Sequence, residues 1–161
     1  LFIVANKQLC QSASDGRISF TRKKVDAPDI GNRFDLTISD LEKAWTPHPD
    51  PDIDVAVMPL VPILDYLFKE GVAIFFTTIS SESAPDDEKM SSLDAIEKVV
   101  FYSYSTDLYD QSNYLPLVHQ GITSSPIFLD YCGKKSFLID TSVLPGSIGS
   151  PVFLIEQDPF P

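Results

Sequence analysis

The chain has 161 residues, 43% apolar and 22% charged, the size and balance of one soluble globular domain. Its formal charge of −11 counts against nucleic acid or acidic lipid as a partner, because most of the surface would repel a polyanion. The longest apolar run, residues 55–64, contains Pro59 and Pro62 and falls short of a membrane span.

The charge is uneven: residues 1–33 carry six Lys/Arg against three Asp/Glu, a local +3 that leaves −14 for the remainder. Seven Gly and 13 Pro, with short Val-, Ile- and Phe-rich runs between turn residues, indicate an all-β or β-dominated fold. The only cysteines, Cys10 and Cys132, show no metal-ligand spacing, so neither a metal nor another cofactor is expected. Both lie beside strand-like runs, where a small buried thiol is the expected state, and a reducing, cytoplasmic setting is favoured over a disulfide. The opening Leu-Phe-Ile-Val-Ala lacks the basic start and cleavage site of a signal peptide. Because it begins in mid-strand, the chain is expected to be part of something longer.

In chain order, residues 1–5 read as a buried strand running into Asn6-Lys7-Gln8-Leu9-Cys10. Residues 16–21 and 33–39 read as two further strands, with 22–32 a polar loop whose Arg22-Lys23-Lys24 faces solvent. Ser39 is placed to cap a short helical turn ending at Trp45, itself a core or rim anchor. Three prolines around His48 force an extended approach to Asp54, which opens the apolar strand Val-Ala-Val-Met58; His48 is expected to be exposed. Residues 59–71 hold a short helix with Leu60, Val61, Leu64, Leu67 and Phe68 on one side and Gly71 as its stop, and 72–79 a strand. Residues 80–92, with Glu82, Asp86, Asp87 and Glu88, read as a flexible acidic loop.

Beyond it, 96–105 is a strand, 115–124 and 126–131 a strand pair, Lys134-Lys135 a turn, and 136–140 a strand. His119 alternates with apolar residues and is expected to be half-buried and structural. The stretch Asp140-Thr-Ser-Val-Leu-Pro-Gly-Ser-Ile-Gly-Ser-Pro-Val-Phe-Leu154 is a glycine-punctuated turn, followed by a strand over 151–156. Its small residues let the backbone fold tightly and direct N–H groups towards one point, as an oxyanion hole requires.

This turn resembles the nucleophile loop of trypsin-like serine peptidases, especially the bacterial HtrA-type branch, with its Pro-Gly-Asn/Ser-Ser-Gly-Gly/Ser-Pro pattern. Ile148 stands where that pattern has the nucleophilic serine, and Gly146 matches the oxyanion glycine. Residues 4–9 resemble the Val-Thr-Asn-x-His-Val segment that carries the catalytic histidine, with Gln8 in the histidine's place. Asp54-Val-Ala-Val resembles the strand bearing the triad aspartate, and Asp54 matches. The three places occur in chymotrypsin order, 46 and 94 residues apart, close to the separations of that triad. Ser103-Tyr104-Ser105 replaces the family's Gly-Tyr/Asn-Pro, and Gly121-Ile122 resembles its Gly-Ile/Val segment.

The resemblance implies a two-lobed chymotrypsin-like double β-barrel, incomplete at both ends: an N-terminal lobe over 1–79, an acidic inter-lobe loop over 80–92, and a C-terminal lobe over 93–161. It implies an oxyanion hole from the N–H groups of Gly146 and Ile148. The activity does not follow, because an amide is not a general base near neutral pH and a hydrocarbon cannot attack a carbonyl. The expectation is a pseudoprotease, gripping a peptide or protein segment in the cleft between barrels. Two alternatives stand beside it: an active serine endopeptidase with an intact or displaced Ser/His/Asp constellation, the displaced one using Ser147 or Ser150 with His48 or His119, and a purely structural β-domain of a larger assembly.

Overall fold

A computed structural model of the chain describes residues 1–10, 14–105 and 108–155. The fold is mostly β, with short helices and, among the described residues, three antiparallel sheets, none of them closed. No helix among the described residues is long and apolar enough to cross a membrane. Contacts divide the chain into two compact units: Leu1–Thr77 with Asp110–Leu115, and Thr78–Tyr109 with Pro116–Pro161.

In the first unit, β1 (Phe2–Ala5) leads into the helical turn α1 (Lys7–Cys10), followed by β2 (Asp15–Lys24) and β3 (Ala27–Ser39). Strands β2 and β3 form one long hairpin: residues 22–32, read as a loop, belong largely to its two strands, where the register shifts between Thr21 and Lys23 before Lys24 faces Ala27. The tight turn lies at Val25, with φ of 55°, and the Lys23–Asp26 ion pair at 3.2 Å closes it. Charged side chains masked the strand because extended backbone carries them at the hairpin's surface, with the Arg22 guanidinium 5.5 Å from the Phe34 ring centre. On the other face Ile18 lies opposite Leu36 and Phe20 opposite Phe34, and these four pack against the core.

Helix α2 (Leu41–Ala44) follows, with left-handed Asp40 at its N-cap and no side-chain cap bond, so Ser39 does not cap it. Trp45 is half-buried against the core, as expected of an anchor. Strand β4 (Thr46–Pro47) pairs with β5 (Ala56–Pro59), which pairs with β1 in the order β1-β5-β4. Helix α3 (Val61–Lys69) ends before Gly71 and buries Ile63 and Leu67. Its expected apolar side is thus corrected: Val61 and Phe68 are exposed, Phe68 by 84%, because the buried stripe runs through 60, 63 and 67. The strand read over 72–79 shortens to β6 (Ile74–Phe75), which extends the hairpin sheet as β3-β2-β6. The core of this unit is Met58, Leu60, Ile63, Leu67 and Ile74.

In the second unit, the acidic stretch read as a loop folds into two capped helical turns. Ser80 Oγ accepts from Glu82 N–H at the 3-10 turn Ser81–Ser83, and Asp86 accepts from Lys89 N–H at α4 (Asp87–Ser92). Of the carboxylates that suggested disorder, Asp86 caps α4 and Asp87 and Glu88 sit in its first turn, where orphan N–H groups favour negative charge, while Glu82 lies in the 3-10 turn. Strands β7 (Lys98–Ser103), β8 (Leu117–Thr123), β9 (Ile139–Asp140) and β10 (Val152–Leu154) form one sheet in the order β10-β7-β8-β9.

Val99, Phe101 and Ser103 alternate inward along β7. Buried Thr123 ties the start of this strand, accepting from Glu97 N–H and donating to Asp94 O. Residues 126–131 form turns and not the second strand of a pair; β8 pairs with β7 and β9 instead. The expected Lys134-Lys135 turn is centred on Cys132–Gly133, leaving Cys132 exposed where a buried thiol was expected. Of the strand read over 151–156, Glu156 lies outside the described residues.

Candidate functional site

Antiparallel pairing of β1 with β5 ends at Ala5 opposite Ala56. The chain then turns into α1, which brings Asn6 and Gln8 to the carboxylate of Asp54, two residues ahead of β5. Asn6 Nδ2 donates to Asp54 Oδ2 at 2.8 Å; Gln8 approaches with its backbone N–H at 3.4 Å from Oδ1 and its Nε2 at 3.4 Å from Oδ2. The Asn6 amide, followed by the backbone N–H groups of Gln8 and Lys7 and the Lys7 charge, holds the Asp54 carboxyl below its ordinary range despite some desolvation. Lys7 Nζ itself donates to Asp50 O at 2.7 Å. Asp54 thus serves as an anionic cap on a helical turn as well as the partner of Gln8.

Two of the three places that the sequence resemblance assigned to a triad, Gln8 and Asp54, therefore meet within the first unit. Their chemistry is one-sided: the Gln8 amide donates to the carboxylate but has no basic nitrogen with which to accept a proton. Asn6, the closest partner of Asp54, was not assigned a role from sequence; its place two residues before Gln8, on the same turn, is the signal that points to it. Behind the cluster, Cys10 is buried and donates to Asn6 O at 3.3 Å; burial, and then the charge of Asp54, push its thiol pKa up.

The third place, Ile148, lies in the second unit on a double turn. Ser147 N donates to Leu144 O at 3.2 Å and Ser150 N to Ser147 O at 3.3 Å. Gly146 and Gly149 occupy the third position of each turn with φ of 96° and 85°. Those are the marks of type II turns, which need a residue free of the Cβ clash at that position; Pro145 suits the second position of the first. Ile148 takes the corresponding corner of the second turn and is 54% exposed. The bonds that close the turns use the N–H groups of Ser147 and Ser150. Among the described residues, no backbone bond engages those of Gly146 or Ile148, the two expected to make an oxyanion hole.

Each histidine has a partner within its own unit. Exposed His48 accepts from Asp50 N–H at its Nδ1, 3.1 Å away. Half-buried His119 has its Nε2 2.8 Å from Ser103 Oγ, and its ring stacks on Phe101 with centroids 4.8 Å apart. The Ser147 hydroxyl is buried without a hydrogen-bond partner, and among the described residues no bond joins Ser147 or Ser150 to the His119 imidazole of the same unit. Within the second unit, the displaced constellation of Ser147 or Ser150 with His119 is therefore not assembled. The Ser103–His119 pair escaped sequence reading because it depends on the β7–β8 register, which sets Phe101 opposite His119. Ser103, at 2% exposure, is closed to a substrate. Compared with protein-family models, with curated proteins and with solved structures, the chain matches none.

Proposed function

We propose that the chain is a chymotrypsin-type double-barrel peptidase scaffold that has lost its catalysis and is kept as a peptide- or protein-binding, regulatory module. The observation that carries this reading is the Gln8–Asp54 pair: the side chain at the histidine place faces the matching aspartate, but through an amide. The exposed hydrocarbon of Ile148 on the double glycine turn adds to it, since the attacking oxygen is missing as well. In triad enzymes, loss of the serine or histidine alone leaves only about 10³–10⁴-fold acceleration over water, negligible for peptide turnover.

The test is restoration. The unaltered chain is expected to give no turnover of a broad fluorogenic peptide panel and no labelling by a serine-directed fluorophosphonate. The double variant Gln8→His, Ile148→Ser is expected to gain labelling at residue 148, while either single variant gains far less, because nucleophile and base act as a unit. Specific labelling of the unaltered chain would overturn the loss of catalysis. A folded double variant that stays inert would count against the peptidase scaffold.

A further inference from the structure

Strand β10 is an outer strand of its sheet: it pairs with β7 on one side, and among the described residues no strand pairs with the other. Val152, Phe153 and Leu154 are consecutive, so their side chains point to alternating faces. All three nevertheless line one recess of about 700 Å³, together with Val99 of β7, so the recess reaches from the inner face of the sheet around β10 at its edge. Ile155 N donates to Lys98 O at 2.9 Å. Counting back by twos, the N–H of Phe153 is directed towards β7, and those of Val152 and Leu154 point away from it. An unpaired row of this kind is a template for another strand.

A second recess of about 750 Å³ opens beside the first and shares Met90, Ile127, Phe137 and Val152 with it. These four side chains make an apolar floor. The rim carries Glu82, Asp86, Asp87 and Asp130 against Lys89 and Lys135, and a chain charge of −11 adds long-range attraction for cations.

We propose that the free edge of β10 is a strand-addition site for an extended segment of a partner protein, apolar at alternate positions and bearing lysine or arginine at the others. Backbone bonds to Val152 and Leu154 give affinity, the two recesses take the apolar side chains, and the acidic rim selects the basic ones. The site lies wholly within the second unit and uses neither Gln8 nor Ile148, so it stands or falls apart from the peptidase reading.

The test is fluorescence anisotropy with a labelled Lys-Ile-Lys-Val-Lys-Ile peptide, its Glu-for-Lys counterpart as control, on the full chain. Saturable binding of the basic peptide, weakened by salt, is expected. Leu154→Pro removes an outward N–H while sparing the β7 ladder, and Met90→Lys places a like charge on the floor. Each is expected to weaken binding by about tenfold or more. Near-UV circular dichroism checks that both variants stay folded, and Met90→Lys decides if Leu154→Pro does not. No binding, equal binding of the acidic peptide, or indifference to the folded variants overturns the proposal. So does binding seen only after removal of residues 156–161, which would make that segment the occupant. A dimer in sedimentation velocity that Leu154→Pro dissolves overturns it in favour of a second copy.

Discussion

Asp54 keeps its charge because donors from three residues, Asn6, Lys7 and Gln8, converge on it from the turn after β1, and the Asn6 amide is the strongest of them. The sign of the pH effect follows. Its folded pKa is depressed, so its contribution to stability is fully present above the unfolded value of about 3.9 and is lost as pH falls through the lower folded value. Carbon-detected NMR titration is expected to place the Asp54 midpoint below that of an ordinary aspartate, and Asn6→Ala to move it back up. An unchanged midpoint in Asn6→Ala would show that the backbone donors alone hold the carboxylate.

Gly121 is fixed by a different pressure, the close passage of β9: a Cβ there would lie 2.7 Å from Asp140 O and 2.8 Å from Thr141 Cβ. Gly121→Ala is expected to cost about 1–3 kcal/mol, read from chemical denaturation, because backbone has to move to admit the methyl. The Gln8–Asp54 pair was legible in the sequence because each residue sits in a short motif of recognisable order. The bond from His119 to Ser103 was not, because nothing local to either residue encodes which strands pair or in what register.

At the scale of elements, the β2–β3 hairpin and the capped acidic segment depart furthest from what composition suggests. Basic and acidic runs read as solvated loops, yet charge on one face of a strand or in the first turn of a helix is compatible with regular backbone. The hairpin also lacks an Asn-Gly or Asp-Gly turn; its left-handed corner is Val25, 86% exposed, a β-branched residue where that conformation is costly. Val25→Asn is therefore expected to stabilise the first unit by about 1 kcal/mol, since no packing is lost and Asn tolerates this conformation. At α4, Asp86→Ala removes the carboxylate that accepts from Lys89 N–H at 2.8 Å and is expected to cost about 1 kcal/mol. Both are read as denaturation midpoints, and a neutral result at either position would mean that its turn contributes nothing to the cooperative unit.

Across the whole molecule, the chain passes from one unit to the other three times, at Thr77–Thr78, Tyr109–Asp110 and Leu115–Pro116. The six-residue return is anchored within the first unit: Gly31 N donates to Asn113 O at 3.2 Å, and the Arg33 guanidinium lies 4.3 Å from the Tyr114 ring centre. β-Richness was legible from turn residues and β-branched runs, but this return was not, because it depends on contacts distant in sequence. The two cysteines report on the units separately. Cys132 sits exposed on a turn of the second, whereas Cys10 is buried in the first with its pKa raised. Only the thiolate of an accessible cysteine reacts quickly. A disulfide reagent at neutral pH is thus expected to modify one thiol at once and the second only as fast as the first unit opens. Denaturant should bring both into the fast phase. Because the second thiol reacts only from the opened unit, mutations that destabilise the first unit are expected to hasten the slow phase without touching the fast one; equal rates for both thiols in the native chain would mean that Cys10 is not enclosed.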